Sequence, residues 1–183
     1  MIQKMAYELV KEGMSVKEIW ELTDFGLLGR FELSENPLIK DYYQNMMSGN
    51  LPKTAIEIKS EQFVQMDEKR RDKSLNMIGL PEEILETMLS RKKFGSLKSL
   101  EEMEAGIAEL IGVPKNNILI VPPLSHHRFI PEDVKVYGRD GSIVGLSDFY
   151  PSHFAAMQEY GRSHHLLRVC AFPEYRDQLR DNA

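Results

Sequence analysis

The side chains of this sequence best suited to chemistry are its five histidines and its one cysteine. Four of the histidines form two adjacent pairs, His126-His127 and His164-His165. Adjacent residues on a strand point to opposite faces, so neither pair can chelate one metal ion unless its loop turns sharply. His127, His153 and His165 could still meet in space, but no carboxylate stands at a fixed spacing from them. We therefore expect structural or solvent-facing histidines and no metal site.

Other catalytic patterns are missing from the sequence. It contains no phosphate-binding glycine loop of the form GxxxxGK[ST] or GxGxxG, and no GxSxG for a serine hydrolase. Cys170 lies in an apolar run, where a thiol is usually a small core side chain. Asp24, Asp41 and Glu57 are far apart in sequence, and nothing pairs them as an acid and a base. The residues alone therefore predict no self-contained active site.

Length and composition indicate a folded chain that needs neither a disulfide nor a structural metal for stability. The 183 residues are 42% hydrophobic and 28% charged, with a net charge of −5. These values favour one compact domain, or a small core with an appended lobe, and they disfavour disorder and general affinity for nucleic acid. A single cysteine excludes an intramolecular disulfide. With no apolar run of membrane length and no signal peptide at the N-terminus, we expect a cytoplasmic protein.

Helical patterns fill residues 1–50. Ile2, Met5 and Leu9 recur at helical spacing, and Ser15 with Glu18 forms a capping-box signature. Thr23 and Ser34 are predicted to cap two further short helices, over 25–31 and 38–46. We expect this helical segment to end at 50 and an α+β lobe to fill residues 51–183.

Strand patterns appear in the lobe, with a helix predicted at 100–111 and another at 148–160. The predicted strands are 54–58, 118–121, 134–136, 143–144 and 166–172. The apolar run 118–121 is predicted to be a central strand, and Asp140-Gly141 indicates a hairpin. We predict an α+β fold with a mixed or antiparallel sheet of about four to five strands and helices on one face.

Three sets of stretches carry a family resemblance: 15–28 with 50–55, 112–114 with 118–123, and 134–146 with 148–154 and 167–174. This arrangement resembles the C-terminal half of HD-superfamily phosphohydrolases, in particular archaeal HD-domain proteins and deoxynucleoside-triphosphate triphosphohydrolases. In that family a helical HD core precedes a linking helix, a step into a strand, and an α+β lobe.

The resemblance implies a chain without the family's catalytic centre. The divalent metal of the family is held in the HD core by a histidine, a His-Asp pair and a later aspartate, none of which has a match here. Residues 1–50 would be the end of that core, and the chain the C-terminal part of a longer protein. At the family's nucleotide-contacting step only Asn50 and Lys53 carry over, because Gly49 and Pro52 replace its arginine and its aromatic residue.

Three functional hypotheses follow. The first is a non-catalytic accessory, oligomerisation or regulatory part of an HD-type deoxynucleotide phosphohydrolase. It would pack against an HD core or form a homo-oligomer through residues 1–48, without a cofactor of its own. The second is a stand-alone nucleotide- or nucleic-acid-binding adaptor that uses Lys53, Arg128, Arg162 and Arg168 around one sheet edge. The third is a small metal-dependent enzyme built on the histidines.

Overall fold

Four helices begin the chain in the computed structural model, which describes residues 1–67, 75–90, 96–122, 133, 135–163 and 167–182. They are α1 (Ile2–Lys11), α2 (Val16–Glu21), α3 (Asp24–Leu33) and α4 (Pro37–Met47). The predicted capping box of Ser15 and Glu18 is present, and the Thr23 side chain accepts a hydrogen bond from the Gly26 amide. Asn36, and not the predicted Ser34, caps α4, because Pro37 is pre-set for the first helical position.

The rest of the described chain contains six strands and six helices. In order these are β1 (Lys53–Ser60), α5 (Glu61–Asp67), β2 (Asn76–Leu80), α6 (Glu82–Ser90), α7 (Leu97–Ile111), β3 (Ile118–Val121), β4 (Lys135–Tyr137), β5 (Ile143–Gly145), α8 (Leu146–Phe149), α9 (Pro151–Ser163), β6 (Leu167–Ala171) and α10 (Pro173–Asp181). The main sheet has the order β2-β1-β6-β3. β1 and β2 are parallel, whereas the other two pairs are antiparallel. The predicted α+β class with a mixed sheet is confirmed.

The predicted hairpin is not part of the main sheet. β4 and β5 pair only with each other in the described part of the chain, with Tyr137 opposite Ile143. The apolar run 118–121 is β3, and it lies at the edge of the main sheet rather than at its centre. On this edge the backbone N–H of Ile120 donates to the Glu104 carboxylate at 2.8 Å. A carboxylate from α7 therefore takes a position where a further strand would have to pair.

β3 is apolar because helices cover both faces of the sheet, and not only the one face expected. On one face, Ile118 and Ile120 belong to a cluster with Leu100 and Ala108 of α7. On the other face, Leu119 belongs to a cluster that the N-terminal helices complete. That second cluster contains Met5, Leu9, Phe31, Ile39, Tyr42, Cys170 and Phe172. A continuous apolar run thus reports burial from two sides and does not report a central position.

Two elements were not anticipated. β2 (Asn76–Leu80) and α10 (Pro173–Asp181) have no counterpart among the predicted strands and helices. Pro173 occupies the first turn of α10, a position that proline favours. The predicted helix over 148–160 forms as α8 and α9. The residues described show no packing of α9 on the main sheet, since its buried Phe154 belongs to neither cluster.

None of the described helices is long and apolar enough to cross a membrane.

Candidate functional site

The residues that the resemblance carries over lie at the entry to β1. Asn50 is half-buried, and its side-chain amide donates to the Asn45 Oδ1 at 2.8 Å. Lys53 is exposed at the first position of β1. The hydrogen bond gives Asn50 a structural role at the end of α4. Lys53, in contrast, places an exposed positive charge at the start of β1.

Of the four cations of the predicted adaptor, the structure describes the positions of Lys53 and Arg168, and these two do not lie together. Arg168 lies on β6 opposite Glu57, with 3.9 Å between its Nε and the Glu57 Oε1. Lys53 lies opposite Ala171, three positions along β6 from Arg168, so these two side chains point to opposite faces of the sheet. Arg128 lies outside the described residues, and so does the side chain of Arg162 in α9. The described geometry therefore gives the adaptor hypothesis no shared binding edge.

The histidine predictions are tested only at one position. His153 is exposed on α9, whereas His126, His127, His164 and His165 lie outside the described residues. Among the residues that the structure describes, no group of three or more histidine, cysteine, aspartate or glutamate side chains could hold a metal ion. For the other four histidines the expectation stays a prediction.

Cys170 lies in the core, at the centre of the sheet face that the N-terminal helices cover. Burial raises the pKa of its thiol, against a smaller opposing effect of a contact with Thr54, whose Oγ1 is 3.6 Å from the Sγ. A buried, protonated thiol is a poor nucleophile. The residue acts as a small core side chain, as its apolar surroundings in the sequence predict.

A buried ion pair joins the N-terminal helices to the lobe. The ammonium of Lys4 on α1 donates to the Glu104 carboxylate on α7, and both residues are buried. The other oxygen of Glu104 accepts from the Ile120 amide of β3. This single carboxylate therefore connects α1, α7 and the edge of the sheet. This ion pair was not predicted, although Glu104 stands between Leu100 and Ala108 on the apolar stripe of α7, where a charge needs a partner.

A second link is made by Tyr42 of α4. Its hydroxyl donates to the backbone carbonyl of Asn116 at 2.7 Å, and its ring packs against Phe172. Burial is the main reason that the pKa of Tyr42 is raised well above its ordinary value. The phenol therefore stays protonated and remains a donor. Asn116 has a φ of 82°, so this hydrogen bond also holds a left-handed turn between α7 and β3.

A cavity of about 180 Å³ lies between α1 and α7. Its lining includes Glu8, Lys11, Glu101, Glu104 and Lys115. The Lys11 ammonium lies 2.5 Å from Glu8 and 3.6 Å from Glu101, while Lys4 neutralises Glu104. The carboxylates of this cavity are therefore already paired within the chain, and nothing in the described lining selects a ligand.

Two highly exposed aromatic side chains lie on α2 and at the start of α3. Trp20 is 83% exposed, Phe25 is 87% exposed, and Val16, one helical turn before Trp20, is 58% exposed. We call these three residues the α2–α3 surface. Large aromatic side chains are rarely left this open unless they meet a partner. Trp20 and Phe25 are five positions apart in the sequence, which keeps their backbones within about 18 Å of each other.

The α2–α3 surface is held by local bonds. In the capping box of α2 the Ser15 amide donates to the Glu18 carboxylate at 2.7 Å, and the Glu18 amide donates to the Ser15 hydroxyl at 3.2 Å. Hydrogen bonding of the Glu18 carboxylate to the Ser15 backbone amide, and to the Ser15 side chain, lowers the pKa of Glu18, so it is ionised at neutral pH. Between the two helices, Leu22 packs on the Gly26 backbone, where a Cβ would approach its Cδ2 to 3.3 Å. α2 is therefore formed and positioned although none of its residues is buried.

Exposed apolar side chains also occur on the hairpin and after it. Tyr137 is 77% exposed and pairs across the strands with Ile143, which is exposed too, as are Phe149 and Tyr150. Two of the carboxylates nearby are held locally, since Asp133 accepts from Ser147 and Asp140 accepts from Ser142. We call Tyr137, Ile143, Phe149 and Tyr150 the hairpin surface. Residues adjoining it, at 123–132 and 134, lie outside the described part of the chain.

Comparisons with known proteins were made for the whole chain. It matches no protein-family model, no curated protein and no solved structure.

Proposed function

We propose that this chain is a non-catalytic accessory lobe that docks on a partner protein through the α2–α3 surface. The observation that carries the proposal is the exposure of Trp20 and Phe25 on helices whose neighbours are packed. Met5, Phe31 and Tyr42 are fully buried in the same helical segment, so the segment has its own core and does not need these two aromatic residues for folding.

The free energy gained by covering the α2–α3 surface can be estimated from the area of its two aromatic side chains. A tryptophan or phenylalanine side chain buries roughly 150–250 Å² when it is covered. At about 25 cal/mol per Å², covering both supplies about 8–12 kcal/mol before the cost of association. Tryptophan is also among the side chains that most often dominate interface energies. A partner that covers Trp20 and Phe25 therefore needs few additional contacts.

The class of the partner is part of the same proposal and comes from the sequence resemblance. If residues 1–50 correspond to the end of an HD-type helical core, the α2–α3 surface is the face turned towards such a core. The lobe would then position or regulate an HD-type deoxynucleotide phosphohydrolase, while the metal and the catalytic residues belong to the partner.

Trp20 is the only tryptophan, so its fluorescence reports on this surface directly. We would titrate the chain with the purified HD core of a deoxynucleotide phosphohydrolase from the same organism. We expect a blue shift of the Trp20 emission, a complex in sedimentation, and no dNTP hydrolysis by the chain alone with added Mn²⁺ or Mg²⁺.

Two variants distinguish docking through the α2–α3 surface from nonspecific hydrophobic association. Phe25→Ala should weaken the complex about tenfold or more, because a buried aromatic anchor is lost. Tyr137→Ala removes an equally exposed aromatic side chain from the hairpin surface and should leave the affinity unchanged. Metal-dependent turnover by the chain alone would refute the accessory assignment. Equal losses for the two variants would refute the assignment of docking to the α2–α3 surface.

A further inference from the structure

We infer that the α2–α3 surface selects a basic partner, namely an apolar protein segment flanked by lysine or arginine, over a second copy of this chain. This inference rests on the proposed docking function and adds the chemistry of the occupant. It follows from the distribution of charge around Trp20 and Phe25.

The segment of the sequence that contains this surface is acidic. Residues 12–41 contain three basic and seven acidic side chains, so their net charge is 3 − 7 = −4, compared with −5 for the whole chain. The acidic residues are Glu12, Glu18, Glu21, Asp24, Glu32, Glu35 and Asp41, all of them exposed. The remaining residues of the chain together contribute only −5 − (−4) = −1.

Exposed carboxylates stand next to both aromatic side chains in the sequence. Glu21 follows Trp20 and pairs with Lys17 at 3.7 Å, but both ends of that pair are exposed. Asp24 precedes Phe25, and neither Asp24 nor Glu32 makes an ion pair with any described residue. An approaching surface therefore meets an apolar centre with an acidic rim, which is complementary to an apolar centre with a basic rim.

The same charges argue against the two competing occupants. In a twofold dimer through this face the same patch would meet itself, and the exposed carboxylates of Glu21 and Asp24, next to Trp20 and Phe25 in the sequence, would be brought together with their copies. A membrane with anionic lipids presents a negative surface potential, which attracts basic and not acidic segments. Both occupants could use the aromatic side chains, but each would have to overcome repulsion at the rim.

The test compares two short amphipathic helical peptides with the same leucine face. One has lysine at every polar position and the other has glutamate. Trp20 emission is recorded during each titration at about 0.05 M and about 0.5 M salt. We expect the lysine peptide to bind at least about tenfold more tightly, with most of that advantage lost at high salt.

Charge variants show whether the effect is local. Asp24→Asn with Glu32→Gln should reduce the preference for the lysine peptide several-fold. Glu102→Gln with Glu109→Gln makes the same change in net charge at exposed positions of α7 and should leave the preference unchanged. Equal reductions in both pairs would show an effect of total charge and would overturn the inference.

Four other results of the peptide, sedimentation and vesicle measurements would decide between the possible occupants of the surface. Equal binding of both peptides, abolished by Phe25→Ala, would keep the docking function and overturn the charge selection. No binding of either peptide would overturn the inference of a basic segment as occupant, and the titration with the HD core would then decide the docking function separately. Self-association in sedimentation accompanied by a Trp20 blue shift would assign the surface to a second copy. A blue shift with vesicles of phosphatidylserine and phosphatidylcholine, without one for the lysine peptide, would assign it to a membrane.

Discussion

α1 and α2 are neighbours in sequence with opposite roles. α1 places Lys4, Met5 and Leu9 in the protein interior, where they meet the sheet and α7. α2 has no buried residue, and only Ile19 reaches the edge of the same cluster. Both segments have the apolar spacing of amphipathic helices. The comparison teaches that such spacing shows a helix face in need of a partner, but not whether the chain itself contains that partner.

The largest expected effect is on the α1 side of this comparison. Glu104→Ala should lower the free energy of unfolding by about 4 kcal/mol, because it leaves the Lys4 ammonium and the Ile120 amide buried without their acceptor. Urea denaturation measures the change. Glu101→Ala, on the same helix but at a more exposed pair, should lower it by less than about 1 kcal/mol. Similar losses for both would mean that the Lys4–Glu104 pair is not a special link.

Met5→Ala should be the next most severe change. Met5 is fully buried between the helices and the sheet, and truncating such a side chain typically costs about 3 kcal/mol. Its control is Ile2→Ala on the same helix, where the side chain is 52% exposed and the expected loss is below about 1 kcal/mol. A stable Met5→Ala protein would show that α1 is not docked as described.

Tyr42→Phe isolates the second link between the helical segment and the lobe. It removes the hydrogen bond to the Asn116 carbonyl and leaves the ring in place, so the expected loss is about 1 kcal/mol. Thermal denaturation followed by circular dichroism gives the value. Tyr43→Phe is the matched control, since the Tyr43 hydroxyl has no hydrogen bond to a described residue. An effect at Tyr43 as large as at Tyr42 would argue against the hydrogen bond.

The smallest effect on stability is expected on the α2 side. Trp20→Ala should change the free energy of unfolding by no more than about 0.5 kcal/mol, because the indole makes few contacts in the free chain. The unfolding is followed by circular dichroism, since the variant has no tryptophan fluorescence. A loss above about 2 kcal/mol would place Trp20 in the core and remove the basis of the proposed function.

Local rules predicted many elements of this fold. The caps at Ser15 and Thr23, the left-handed stop of α7 at Gly112 and the Asp140-Gly141 turn all depend on residues a few positions apart. Each of these signals has a local physical cause. A side-chain oxygen accepts from a helix amide that has no partner in the helix, or a glycine adopts a positive φ. They do not depend on which segments pack together, so the sequence is sufficient to find them.

The packing of segments that are distant in sequence was harder to predict from the sequence. β3 was predicted as central because it is apolar, yet its apolar character comes from helices on both faces, and Glu104 closes its edge. We expected residues 1–48 to leave their apolar stripes exposed, but the second face of the sheet buries Met5, Phe31 and Tyr42. What remains open is narrower, namely Val16, Trp20 and Phe25. The sequence contains the stripes, but only the packed sheet decides which of them are covered.

Residue-resolved amide hydrogen exchange, with and without the lysine peptide, tests the contrast between α1 and α2 most directly. In the free chain we expect the Leu9 amide to exchange only through global unfolding and the Trp20 amide to exchange orders of magnitude faster by local opening. The peptide should slow exchange in α2 and the first turns of α3 and leave α1 unchanged. Equally slow exchange in both helices of the free chain, or new protection at the hairpin surface instead, would contradict the account.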